Sequence, residues 1–156
     1  MQLIFKSPRG ETLLDWSEYA LLRDNVQHYL ESGPGQTAFA ALHAVERVVD
    51  GVPGSVSAVG LRRELQRAWS ALADLKLAES AVSLRTRAIL TGCDRPPAVR
   101  GTVIARQTGW SLPVVGEDDQ PLRAHIGSFV AALLTITECA ATTDDVSVTR
   151  AGVSAP

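Results

Sequence analysis

Between Ser57 and Leu90 the chain runs 34 residues with no proline and one glycine, Gly60, close to the start. Within it Leu61, Leu65, Ala68, Leu72 and Leu75 recur at spacings of four, three, four and three. That period sets all five side chains on one side of an α-helix, because 3.6 residues complete a turn. Beyond Leu75 the pattern widens: Leu77, Ala81, Leu84 and Ala88 form one line, and Val82 and Ile89 another. A widening apolar face suits packing against several elements better than a two-stranded coil, whose seam is narrow. The stretch reads as one long organising helix, capped by Ser55 or Ser57 and stopped at Gly92. It specifies architecture and no chemistry.

The rest of the chain supplies partners for that helix. Gln2 to Phe5 is a short apolar run, Ser7-Pro8-Arg9-Gly10 is a turn, and Glu11 to Leu14 returns, which together predict an N-terminal hairpin. Asp15 and Glu18 form a capping-box pattern, with Leu14 and Tyr19 at the hydrophobic-staple positions. A first helix follows, striped by Tyr19, Leu22, Val26 and Tyr29 and ended by Gly33 and Pro34. A second helix is expected over Thr37 to Asp50, with Phe39, Leu42, Val45 and Val49 on its apolar side and Gly51 and Pro53 closing it. Arg95-Pro96-Pro97 blocks helix, and Val99 to Gln107, a Thr108-Gly109 turn and Trp110 to Val115 predict a hairpin whose second strand Pro113 confines to an edge. Glu117-Asp118-Asp119-Gln120 lends negative charge to a fourth helix beginning near Pro121. In that helix Leu122, Ile126, Phe129, Leu133, Ile136 and Ala140 alternate at four and three. Val146 and Val148 suggest a last strand, and Arg150 to Pro156 a frayed tail.

These elements predict a single α+β domain over 1–149 with a disordered tail at 150–156: four helices packed on a small antiparallel sheet. The third helix is expected to be longest and the fourth most buried. The sheet is expected to combine the N-terminal strand with the 99–115 hairpin. Composition agrees, since 46% hydrophobic and 21% charged residues are globular proportions. With only 5% aromatics, the core must be built mainly of Leu, Val and Ala.

The net charge of −2 excludes nothing by itself, but its distribution is uneven. Residues 1–60 sum to −3, residues 61–106 to +5 and residues 107–156 to −4. Arginine outnumbers lysine 13 to 2, a composition associated with a GC-rich bacterial genome. The N-terminus lacks the basic region and long apolar run of a secretory signal, and Ala124 to Ala141 carries His125, Ser128, Thr135, Thr137 and Glu138, so a buried helix explains it better than a membrane span. A cytoplasmic location is the expectation, with Cys93 and Cys139 both reduced.

No catalytic, cofactor or metal constellation emerges. His28, His43 and His125 fall on three different helices, and none has the neighbours of a metal signature. Cys93 follows a helix C-terminus, whose partial negative charge disfavours a thiolate, and Cys139 reads as core. Ser111 and Ser128 lack a nucleophile-elbow context, Gly51-Val52-Pro53-Gly54 lacks the lysine of a phosphate loop, and Glu117, Asp118 and Asp119 read as solvated loop acids.

The most informative polar group is Arg62, Arg63 and Arg67, all within the first turns of the third helix. Arg63 and Arg67 share a face at i, i+4, with Glu64 placed to neutralise Arg67 at i+3. These three are the candidate partner-binding residues. The reading is a non-enzymatic bacterial protein-binding module of the immunity-protein, antitoxin or regulatory-partner kind, meeting another protein, possibly an acidic one. One alternative is a nucleic-acid-binding regulator using the basic region 62–106, although Gln66 is the lone base reader beside the arginines. Another is a small-molecule-binding or enzymatic α+β domain with a pocket between sheet and helices.

Overall fold

The computed structural model describes residues 2–31, 38–49, 51–52, 55–76, 80–81, 104–105, 110–111 and 121–152. The N-terminal hairpin forms as the sequence predicts: β1 (Gln2–Ser7) pairs antiparallel with β2 (Gly10–Asp15), and Pro8 and Arg9 make the turn between Ser7 and Gly10. α1 (Trp16–Leu30) follows at once, then α2 (Ala40–Val49), β3 (Ser55–Ser57) and α3 (Ala58–Ala71). β4 (Ile104–Ala105) and β5 (Trp110–Ser111) form a separate pair, α4 covers Arg123–Ile136, and β6 (Asp145–Arg150) closes the order.

The main sheet has the order β2-β1-β6-β3, antiparallel throughout. Its inward side chains are Leu3 and Phe5 of β1, Val146 and Val148 of β6 and Val56 of β3, all buried. Period-2 alternation puts Lys6, Ser147 and Thr149 on the opposite, exposed face. Of the expected 99–115 hairpin the described residues are β4 and β5, which pair with each other and not, among the described residues, with this sheet. The place beside β1 goes instead to β6, whose Val146 and Val148 supply two inward residues at the required spacing. β6 runs through Arg150, and the Ala151 N–H donates to the Gln2 carbonyl at 3.0 Å. Residues 153–156 of the expected tail lie outside the described residues.

Phe129 of α4 joins the layers. Its ring meets Phe5 of the sheet edge-on at 6.0 Å and Tyr19 of α1 at 6.3 Å, and Tyr19 in turn packs on Trp16 at 4.9 Å. Ile126, Phe129 and Leu133 are fully buried, as their spacing predicts. Yet α4 is not the most buried helix, because Ser128, Ala131 and Thr135 face water. That position belongs to α1, where Trp16 and every residue from Tyr19 to Val26 are buried. Cys139, expected in the core, is exposed at positive φ in the turn past the end of α4.

The third helix departs most from expectation. It is capped by Ser57, whose Oγ accepts from the Gly60 N–H at 3.1 Å, but it ends at Ala71, one residue shorter than α1. At and past that end the chain is held by tertiary bonds. The Trp69 carbonyl accepts from Arg123 Nε at 2.9 Å, the Leu75 carbonyl accepts from the Leu122 N–H at 2.9 Å, and Lys76 bridges to Pro121. Leu72 still reaches the core, as the first residue past the helix. Further on, Ala81 is non-helical and its backbone is clasped by Asn25: the Ala81 N–H donates to Asn25 Oδ1 at 2.9 Å, and Asn25 Nδ2 donates back to the Ala81 carbonyl at 3.3 Å. Residues 82–92 of the expected helix lie outside the described residues.

Candidate functional site

The first turns of α3 carry Arg62, Arg63, Glu64 and Arg67, and packing separates them. Leu61, Leu65 and Ala68 anchor the inner face and fix the rotation of the helix. Glu64 lies between two of these anchors in sequence, so it is carried to the boundary with α2 and is buried. There it meets a helix that cannot cap itself. The residue before α2 is Phe39, which has no side-chain oxygen to offer the first free N–H groups. Glu64 supplies the missing acceptors from another helix: Oε1 accepts from Ala41 N–H at 3.1 Å and Oε2 from Leu42 N–H at 2.8 Å. A carboxylate in this place also meets the positive end of the α2 dipole.

Glu64 is therefore turned away from the arginines that sequence spacing expects it to neutralise. Arg67 is exposed, with its guanidinium carbon 4.3 Å from the centre of the buried Phe39 ring. Arg63 is exposed, and among the described residues neither it nor Arg67 makes an ion pair. Gln66 and Ser70 are also exposed, completing an i, i+3, i+4, i+7 stripe with no acidic member. Arg62 leaves this stripe. It is half-buried and its Nη1 donates to the Leu134 carbonyl at 2.6 Å, tying α3 to α4. Of the three arginines named from the sequence, the fold thus keeps two on one open face and commits the third to packing.

A second polar group escapes a reading of spacing alone. Arg23, Asp24 and Asn25 are consecutive on α1 and almost wholly buried. Arg23 donates through Nε and Nη2 to Asp24 Oδ1 at 3.0 and 2.7 Å and through Nη1 to Glu46 Oε1 of α2 at 2.8 Å. Its guanidinium also lies over Trp16 and Tyr19, 5.5 and 5.8 Å from the ring centres. The signal available in sequence is the ladder Trp16, Tyr19, Arg23, which places a cation on the aromatic side of the helix. With donors and carboxylates paired, this group is a buried cross-link between α1 and α2. His43 of α2 makes a half-buried contact with the residue after α1, its Nε2 lying 2.8 Å from both oxygens of Glu31.

Among the described residues no group of three His, Cys, Asp or Glu side chains is placed to hold a metal ion. His28, His43 and His125 stay on α1, α2 and α4. Cys139 is a free thiol, while Cys93 and Glu117 to Asp119 lie outside the described residues. Ser128 donates to Glu18 Oε1 at 3.1 Å, and the Asp15 carboxylate accepts from the Ser17 N–H at 2.8 Å, so the expected capping box is replaced by a shorter cap. No helix among the described residues is long and apolar enough to cross a membrane. Comparison with known proteins matches no family model, no curated protein and no solved structure.

Proposed function

We propose that the chain is a non-enzymatic protein-binding module, of the immunity-protein, antitoxin or regulatory-partner kind, which meets an acidic protein partner through the outer face of α3. The observation that supports this is the diversion of Glu64 to the N-terminus of α2, which leaves Arg63 and Arg67 exposed with, among the described residues, no carboxylate paired to them. Two exposed guanidiniums one helical turn apart attract carboxylates over a Debye length of about 10 Å in 0.1 M salt and accelerate encounter with an acidic surface. Arginine is also enriched among interface residues that dominate binding energy. We assign the activity to the cytoplasm, where an exposed thiol such as Cys139 stays reduced.

The test is affinity capture of the tagged full-length chain from its source organism, beside the double reversal R63E/R67E, with the retained protein then reconstituted from purified components. The expected result is one specific acidic protein, held by the native chain, lost by the double variant, and associating more slowly as salt rises. Equal retention by both forms would overturn the assignment. Retention of nucleic acid in place of a protein would transfer the face to the competing reading.

A further inference from the structure

The two exposed arginines are not equivalent. Arg67 rests on the Phe39 ring at 4.3 Å, and Phe39 is itself only 2% exposed and so held rigidly at the entrance to α2. The Ala41 and Leu42 N–H groups that follow it are pinned by Glu64 of α3, one turn before Arg67. Ring, helix start and guanidinium therefore form one small unit built from α2 and α3. A guanidinium seated over a ring and still exposed to solvent can turn N–H donors outward, and its planar fork matches the two oxygens of a carboxylate. Among the described residues Arg63 has no such platform. Its Cβ stands about 5–6 Å from that of Arg67, the separation of neighbours at i, i+4 on a helix.

We infer that Phe39 is a positioning residue that presents Arg67 as a preformed receptor for one carboxylate of a protein partner, while Arg63 takes a second carboxylate about 6 Å away. The inference rests on the basic-face reading above. It specifies the partner's chemistry: two acidic side chains spaced as on one helix face, at i and i+4. A protein epitope fits this pair, because two arginines at i, i+4 match two carboxylates spaced alike on a facing helix.

The test uses the full chain and a synthetic alanine-based helical peptide bearing two Glu at i, i+4, followed through the Nε–Hε NMR signals of Arg63 and Arg67. R63K and R67K assign those signals. The Arg67 signal is expected to carry an aromatic ring-current shift before any peptide is added, and both signals are expected to move on titration. F39L should remove the ring-current shift and weaken peptide binding about two- to fivefold, the equivalent of an exposed cation–π contact. Because Phe39 is buried, R67K gives the second measurement: it keeps the charge and loses the planar fork, and should weaken binding at least as much. If F39L leaves affinity and the Arg67 signal unchanged, the positioning role is wrong while the basic face stands. If the peptide moves neither arginine signal in the native chain, the carboxylate reading of the face falls with it. A short DNA duplex that moves both signals at lower concentration than the peptide would overturn both in favour of nucleic acid.

Discussion

Glu64 offers the sharpest test of how this fold is held together, because one side chain performs the capping that α2 cannot perform for itself. It accepts two backbone hydrogen bonds as a carboxylate, at 3.1 and 2.8 Å. Bonds to a charged acceptor contribute about 1.5–3 kcal/mol each. Leu42 is buried, so its N–H has no replacement when the carboxylate goes, whereas Ala41 is half-buried and water can reach it. Counting the first bond fully and the second in part, Glu64→Ala should cost about 3–4 kcal/mol. For a chain of this length that lowers Tm by about 6–16 °C. Glu64→Gln can accept only one of the two bonds and loses the charge, so about 2–3 kcal/mol should be lost. Urea unfolding followed by helical circular dichroism measures both, with an unchanged m-value showing that the folded and unfolded states are otherwise the same. If Glu64→Ala costs less than about 1 kcal/mol, the range of an ordinary surface change, the inter-helix cap is not a determinant of the fold and the reasoning fails.

Phe129→Ala empties the junction of sheet, α1 and α4 and should cost about 3–5 kcal/mol, measured by the same urea titration; a loss below 1 kcal/mol would contradict the packing. R63E/R67E should leave Tm within about 2–4 °C of the native value, because neither side chain joins an internal ion pair and a change under 1 kcal/mol is expected; a large drop in a thermal melt would show that the arginines stabilise the fold. Asn25→Ala removes the clasp on Ala81 and strands a buried N–H, for a loss of about 1–3 kcal/mol in unfolding experiments. Cys139 should react rapidly with a thiol reagent in the native protein, and Cys139→Ser should abolish that fast phase; a native protein with no fast thiol would place Cys139 elsewhere.

Periodic signals carried the sequence reading, and they worked wherever burial is one-sided. Leu61, Leu65 and Ala68 face inward as their spacing requires, as do Ile126, Phe129 and Leu133, and the alternation of β1 sets Leu3 and Phe5 in the core. The reading failed where a bond between distant residues outweighs a local preference. Leu72 and Leu75 continue the helical period, yet the helix ends at Ala71 and the Trp69 and Leu75 carbonyls accept from Arg123 and Leu122, partners not visible from within the stretch. Arg23, Asp24 and Asn25 give no periodic signal, and two of their partners, Glu46 and Ala81, come from elsewhere in the chain. At the candidate site the arginines were legible as a cluster. Their division into an exposed pair and a committed Arg62 was not, since it depends on which neighbour offers a carbonyl oxygen.

The bridge between Lys76 and Pro121 also bears on how the framework is assembled. Between those two residues lie 44 others, yet the two meet in an antiparallel bridge. Every member of the buried apolar cluster among the described residues falls between Leu3 and Leu72 or between Leu122 and Val148. The sheet shows the same division, with β6 reaching it from beyond Pro121 to sit between β1 and β3. The framework is therefore composite: β1, β2 and β3 from the first stretch form no four-stranded sheet without β6 from the second, because, among the described residues, β3 pairs only through it.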